Sequence, residues 1–443
     1  MRKVLLFFVI LSLSFGVFAC AKPEFTDFED EGNLNFMGGK FVILQEWYTK
    51  FLQPKRGDNA SDDRMLDRFL ELENKYNLVF DYPLVENIPA YLLGKSIAGN
   101  LHVDLMEIGN QSLYELYKLN MVLPVGDVIP DIDDDKWGSA SVGEKTVFYG
   151  TRYGFFANKW DSGPDIGDWL ICNLDNFDKY GVTNPHEYLE NGEWDWEHLK
   201  IMLRQATVND GDNKFVGLLY DGIYMGTSIV IPAILSNGGY FLRQSGGKYE
   251  IGLKNPEAIE AIEFTVELMT EGIAEVGPGG LAGDIWNEGR RWMVAYGGGA
   301  PTSRDWNLTA IRYATGPNGD PNAITAFMSG RGRFWGFPIF SIYGEEDLYA
   351  VVDDLFEPLE PNYYPNGWKD YLQDVANFEC DDYEYYLRAT DEAFVYNTVV
   401  LEQSSGAVEE ALQTIYCQGV SINVALDSII DLFTADVDEH YNR

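Results

Sequence analysis

Short apolar runs alternate with amphipathic helical patterns along this chain, and that alternation constrains its fold more than any other feature. Phe41-Val42-Ile43-Leu44 is an apolar run of strand length. A helical pattern follows with Met65, Leu66, Phe69 and Leu70 on one face, then a second strand at Leu78-Val79-Phe80 and a third over Leu101 to Ile108. Ser112 is expected to cap the next helix, which carries Leu113, Leu116 and Tyr117. Strand, helix, strand in this order predicts parallel strands covered by helices on both faces, an α/β fold. Farther on, Asp195 can cap a helix that turns Leu199, Met202, Leu203 and Ala206 inward. Asn255-Pro256 opens another, with Ile259, Ile262, Val266 and Met269 as its stripe and Gly272 as its end. Ser421 precedes Leu426, Ile429, Ile430 and Phe433 at helical spacing. With 443 residues there is room for more than one sheet.

The N-terminus reads as a processing signal. Met1-Arg2-Lys3 is basic, and the apolar stretch from Val4 to Phe18 is too short to span a bilayer. It ends Val17-Phe18-Ala19-Cys20, similar to a bacterial lipoprotein cleavage box in which Cys20 becomes the first residue and carries lipid. An ordinary secretory signal is the alternative. No later segment reaches ~18 consecutive apolar residues, so acyl chains on Cys20 would be the only anchor. The acidic stretch around Glu24 to Gly32 is expected to be a flexible tether up to about residue 39.

Charge narrows the partners. Against 70 Asp+Glu stand 32 Lys+Arg, a formal net charge of -38, which disfavours nucleic acid and anionic lipid as partners of the whole surface. Walker A, GxGxxG, GxSxG and HExxH sequences are all missing. His102, His186, His198 and His440 are scattered and make no metal-ligand spacing, and no cofactor is implied. Asp131 to Asp135 and Asn209 to Asn213 have oxygen density that suits calcium but lack the EF-hand pattern, and read as solvated turns. Cys172, Cys380 and Cys417 form no disulfide framework; a Cys380–Cys417 bridge is one option and buried thiols the other.

Aromatic residues are abundant, with 11 Trp, 27 Tyr and 26 Phe. Many must pack cores, but Trp47, Tyr48, Trp169, Trp306 and Trp335 fall at strand ends or beside Gly-rich loops. Flat rings suit the apolar face of a pyranose, while amides and carboxylates bond its hydroxyls. In an open α/β sheet, ligands sit outside the carboxyl ends of strands, where Gln45, Glu46, Trp47, Asn110 and Gln111 would lie.

Four segments, in order, resemble the extracellular solute-binding proteins that serve carbohydrate ABC importers, the maltose-binding type. They are Val103 to Glu107 with Leu116 to Pro124, then Cys172 to Pro185 with Gly192 to Leu199, then Asn237-Gly238-Gly239 with Asn255 to Gly272, and last Asn287 to Met293. The second is the most specific. Asp195 stands where the family usually has Thr, and Trp292 where it usually has Ala.

The resemblance implies a two-lobed, periplasmic-binding-protein-like fold of type II, with discontinuous lobes joined by crossing strands. Lobe 1 would take residues 40–153 and 297–357, and lobe 2 residues 154–296 and 358–443, after a signal over 1–19 and a lipidated tether over 20–39. The crossings would fall near Tyr149 to Phe156, Met293 to Gly298 and Phe356 to Pro361. By position, Glu46, Trp47, Asn110, Gln111 and Trp335 become cleft residues of lobe 1. Arg152, Trp169, Tyr220, Asp221, Tyr224 and Tyr396 become those of lobe 2 and the crossings. The implied protein is a lipid-anchored, monomeric, non-enzymatic receptor on the outer face of a bacterial membrane. It hands a mono- or oligosaccharide to an ABC permease driven by a partner ATPase. A surface adhesin, a glycosidase, or a receptor for another polar solute such as a polyamine remain alternatives.

Overall fold

Strand β1 (Gly39–Glu46) is buried along its last six residues, the apolar run Phe41 to Leu44 followed by Gln45 and Glu46. The computed structural model describes residues 34–46, 54–57, 60–99, 101–138, 140–156, 169–210, 213–220, 225–277, 292–297, 307–329, 333–357, 385, 388–389, 392–396 and 398–442. The expected signal, Cys20 and the tether as far as residue 33 lie outside these residues, as do Trp47, Asp221 and Tyr224. The last expected tether residues are instead docked, with Phe36 N donating to the Tyr76 carbonyl and Gly39 already in β1.

After β1 come α1 (Ala60–Tyr76), β2 (Leu78–Asp81), β3 (Leu84–Val85), α2 (Ile88–Ala98), β4 (Leu105–Gly109), α3 (Asn110–Lys118) and β5 (Val122–Leu123). Helix α4 (Ala140–Glu144) precedes a hairpin of β6 (Val147–Phe148) and β7 (Thr151–Arg152). Next are β8 (Trp169–Asn173), α5 (Leu174–Tyr180), α6 (Pro185–Glu190), α7 (Trp196–Ala206), β9 (Val208–Asp210), β10 (Asn213–Tyr220) and α8 (Met225–Ser236). A hairpin of β11 (Leu242–Ser245) and β12 (Lys248–Ile251) leads to α9 (Pro256–Glu271), β13 (Ala274–Val276), β14 (Trp292–Gly297) and β15 (Leu308–Ile311). The chain finishes with β16 (Phe327–Ser329), β17 (Arg333–Pro338), α10 (Glu345–Leu355), β18 (Phe394–Tyr396), α11 (Glu402–Gln418), α12 (Ile422–Asp427) and α13 (Ile430–His440).

Two sheets result. The first has the order β2-β1-β4-β17-β5, with β3 beside the end of β1. Strands β2, β3 and β4 run parallel to β1, and β17 runs antiparallel to both β4 and β5. The second has the order β13-β10-β14-β8-β15, with β9 paired to β10. Here β10, β13 and β14 are parallel, and β8 is antiparallel to both β14 and β15. Parallel strands must be covered on both faces, and they are. Alternate residues of the first sheet, Val42, Leu44, Met106 and Ile108, join Ile88 and Leu92 of α2 and Leu113 and Leu116 of α3. On α1, Met65, Phe69, Leu72 and Tyr76 are the buried stripe, and Tyr76 donates to the Ala350 carbonyl of α10. In the second half, α8 is apolar nearly all round, and Ile229 to Ile234 are all buried, as befits a helix enclosed by others.

The motifs behind the family resemblance prove to be packing devices. Asp195 caps α7, its carboxylate accepting from His198 N at 3.0 Å, a task Thr performs equally. Trp196 stacks on Phe264 with ring centroids 4.1 Å apart, and its indole donates to Ser236 Oγ. Asn237 donates to the Glu257 carbonyl and accepts from Asn318 N. Gly238 follows at φ +73°, and a Cβ there would meet the Asn318 carbonyl oxygen at 2.6 Å.

Several sequence expectations are corrected. β4 runs through Gly109 and α3 starts at Asn110, so Ser112 lies inside the first turn and is not a cap. Leu70 is exposed, because the stripe of α1 advances to Leu72. In α9 the buried residues are Ala258, Ala261, Ile262, Phe264, Thr265 and Leu268, while Ile259, Val266 and Met269 are only partly covered. The C-terminal pattern is two helices, α12 and α13, broken at Ser428 and Ile429. Among the described residues Cys417 is a free, exposed thiol and Cys172 a free, buried one; Cys380, and with it the Cys380–Cys417 option, lies outside them.

The passages between the sheets also shift. Phe155 is still bridged to Trp335 of the first sheet, so the first passage follows Tyr149 to Phe156. β14 does not lead back at Met293 to Gly298. Both β14 and β15 pair within the second sheet, Ile311 of β15 opposite Leu170, and β17 pairs within the first. Between them β16 pairs in parallel with β18, Ser329 opposite Tyr396.

Candidate functional site

The carboxyl ends of the parallel strands define one edge of each sheet. On the first sheet that edge holds Gln45 and Glu46 at the end of β1, Glu107 and Gly109 on β4, and Arg333 at the start of antiparallel β17. Glu46 is fully buried. Its Oε1 accepts from Ile88 N, the first turn of α2, at 3.1 Å, and its Oε2 accepts from Gly109 N, at the start of α3, at 3.3 Å. One carboxylate therefore ties together two helix N-termini, where a negative charge is favoured by the free N–H groups and the helix dipole. Asn110 follows; it is buried, and its Nδ2 finds no hydrogen-bond partner among the described residues. Gln111, one residue on, is exposed.

Glu107 and Arg333 share the opposite face of this edge. Glu107 is fully buried, and Arg333 Nε lies 3.2 Å from its Oε1, with the Arg333 side chain partly exposed. A buried carboxylate is tolerated only with such a partner. Neither residue was singled out from the sequence. The available signal was a charge within the apolar strand Leu105–Gly109 and an arginine two residues before Trp335.

On the second sheet the same kind of edge holds Tyr220, opposite Tyr296, and Trp169, opposite Gly297. The Tyr220 hydroxyl is buried against that of Tyr313 at 2.9 Å, and burial with that neighbour raises its pKa well above the tyrosine range. Helix α8 begins just beyond this edge. Its first N–H groups meet a carboxylate from α11: Glu409 Oε1 accepts from Gly226 N at 2.7 Å, and Oε2 from Thr227 N at 3.0 Å and Thr227 Oγ1 at 3.1 Å.

The structure thus brings Glu46, Asn110 and Gln111 together on one edge, and Trp169 and Tyr220 onto the other. It puts three further candidates elsewhere. Trp335 is register partner to Glu107, two residues into the sheet, and its ring packs 4.8 Å from Phe356. Tyr396 ends β18, buried edge-on to Phe241, and its enclosed hydroxyl finds no hydrogen-bond partner among the described residues. Arg152 is held inside the hairpin region by three carbonyls, of Gly154, Ile132 and Trp137, which leaves it a staple of the fold. Burial pulls its pKa down to about 10, against the opposing pull of Asp133 and Glu144. Among the described residues no group of His, Cys, Asp and Glu is placed to hold a metal ion, and no helix is long and apolar enough to cross a membrane.

No protein-family model matches this sequence, nor does any curated protein. Solved structures do match it. A cyclo/maltodextrin-binding protein complexed with maltotetraose superposes with a TM-score of 0.60 at 13% identity, over 92% of this chain and 99% of that one. The chain has the fold of the two-lobed solute-binding proteins. The GacH receptor of Streptomyces glaucescens, solved unliganded and with acarbose, gives a TM-score of 0.58 at 13% identity over 90% of this chain and 99% of that one. UgpB of Mycobacterium tuberculosis, in complex with glycerophosphocholine, gives 0.57 at 13% identity with the same coverage.

Proposed function

We propose that this chain is the solute-binding protein of an ABC importer, which captures a carbohydrate between its lobes and delivers it to the permease. The observation that carries the reading is the pair of polar carboxyl edges, Glu46, Asn110 and Gln111 on one sheet and Trp169 and Tyr220 on the other. They are linked through passing strands on which the lobes can hinge. Neighbours of this fold bind maltotetraose, acarbose, glycerophosphocholine and α-D-tagatose, which supports a polar organic solute. The lobes on this reading are residues 40–156 with 333–357, and 169–329 with 385–443. Trp47, Asp221 and Tyr224 are further ligand contacts on this reading. The protein acts as a monomer without catalysis of its own, and a partner ATPase supplies the energy.

Cys20 anchors it to the outer face of the membrane after removal of residues 1–19. Mass spectrometry of the membrane-extracted protein should find a lipidated N-terminal Cys20, and Cys20→Ala should release the protein from the membrane fraction.

A panel of mono- and oligosaccharides read by thermal shift tests the function. A ligand that binds only the folded state stabilises it by about 2.7 kcal/mol at a hundred times its Kd, so a true ligand moves the melting temperature by several degrees. Solution scattering on the same complex should show compaction. Silence across the panel, or turnover of chromogenic glycosides, would overturn the carbohydrate receptor.

A further inference from the structure

We propose that Glu409 and Glu46 make this binding site reject anionic solutes, so that its ligand is a neutral or cationic polyol and not a phosphorylated one. The inference rests on the solute-binding reading above and narrows the class of solute it admits.

A helix that follows a parallel strand starts at the sheet's carboxyl edge, with its free N–H groups and positive dipole end presented there. In an α/β binding protein those helix N-termini are the natural seats for a phosphate or carboxylate. Here the seats are taken by the protein's own side chains. At α8, the Glu409 carboxylate accepts from both Gly226 N and Thr227 N and from the Thr227 hydroxyl. At α2 and α3, the Glu46 carboxylate accepts from Ile88 N and Gly109 N and has no exposure to solvent.

The arrangement at α8 is built into the packing. A Cβ on Gly226 would lie 2.4 Å from Leu412 Cβ and 3.0 Å from the Glu409 carbonyl oxygen. Only glycine lets α11 approach closely enough for Glu409 to reach the first turn of α8. The cation at the first edge is not left for an anionic solute either, since Arg333 is ion-paired to the buried Glu107. Asn110, whose buried amide nitrogen finds no partner among the described residues, offers a neutral donor beside Glu46. Such an amide suits a hydroxyl oxygen, whereas a phosphate there would face the Glu46 carboxylate.

The test uses the purified full-length protein and calorimetric titration. Each responding sugar is compared with its phosphorylated counterpart, and inorganic phosphate is titrated alone. The wild type should bind the phosphorylated form at least about 100-fold more weakly than the neutral one, and inorganic phosphate not measurably. Glu409→Ala, which uncovers the α8 donors, should gain at least about tenfold in phosphate affinity. Glu409→Gln, which keeps the shape and one acceptor oxygen, should gain less and guards against a loss of fold in the alanine variant. Equal affinity of the wild type for the two sugar forms would overturn the proposal. So would folded Glu409 variants, by circular dichroism, with no gain for phosphate. A silent sugar panel together with phosphate gain in Glu409→Ala would sink the carbohydrate reading and leave this one standing.

Discussion

The Tyr149 ring lies over the His440 imidazole, with 5.2 Å between ring centroids and 52° between their planes. Tyr149 and Gly150 form the β6–β7 turn with φ of +51° and +79°, the left-handed pair that matches the twist of a two-residue hairpin. His440 ends α13, where its Nε2 lies 3.2 Å from buried Asp436 Oδ1. Nearby, Lys118 of α3 pairs with Glu402 of α11 at 2.8 Å. These contacts tie the hairpin region to the C-terminal helices. A double-mutant cycle with Tyr149→Ala and His440→Ala, measured by urea unfolding, should give a coupling of about 0.5–1.5 kcal/mol. A coupling indistinguishable from zero would mean the rings are neighbours without mutual stabilisation.

Asp195 is a residue whose role can be separated into cap and family identity. Asp195→Ala removes the acceptor for His198 N and should cost about 1 kcal/mol, read as a lower denaturation midpoint at unchanged slope. Asp195→Thr keeps an N-cap oxygen and should stay within a few tenths of the wild type. A threonine variant as unstable as the alanine one would show that the Asp195 to His198 Nδ1 contact at 2.8 Å, not the cap, is what matters.

The parts legible in the sequence are those fixed by short-range chemistry. The cap at Asp195, the Pro256 start and the Gly272 stop of α9 each depend on a few neighbouring residues. Glu46, Asn110 and Gln111 were placed because a strand end and the following helix start can both be read locally. Membership of the sheets was less legible. β15 and β17 pair with strands far away in the chain, and no local pattern says that Ile311 belongs beside Leu170 while Trp335 belongs beside Glu107. The role of Glu409 is not legible in the sequence for the same reason. On α11 it is one acidic residue beside another, Glu410, and only the close approach allowed by Gly226 turns it onto the N-terminus of α8.

Gly238 and Gly246 both have positive φ, but their surroundings differ. A Cβ on Gly238 meets the Asn318 carbonyl oxygen at 2.6 Å, whereas one on Gly246 meets nothing within 4 Å. Gly246→Ala should therefore cost only the conformational term of about 1 kcal/mol. Gly238→Ala should cost that and a clash besides, about 2–4 kcal/mol in all. Equal melting temperatures for the two variants would show that the loop around Asn318 yields freely.

Glu271 offers a pH test with a definite sign. Its carboxylate accepts from Arg204 Nε and, at 3.0 Å, from Arg204 Nη2. That hydrogen bonding, with the nearby charges of Arg204 and Lys200, outweighs desolvation and holds its pKa below the ordinary glutamate value. A carboxylate whose folded pKa is depressed adds stability that is present above its unfolded pKa and is lost as pH falls through the folded one. The benefit of Glu271 should thus be full at neutral pH and fade on acidification below about pH 4, where the unfolded carboxyl begins to bind its proton. An NMR titration should find Glu271 titrating below the ordinary glutamate range in the wild type and returning to it in Arg204→Ala. The stability gap between wild type and Glu271→Gln should narrow over the same acidic interval. A wild-type Glu271 that titrates at or above the ordinary value would contradict the pairing, because no other cause on this exposed helix end lowers it as much as Arg204.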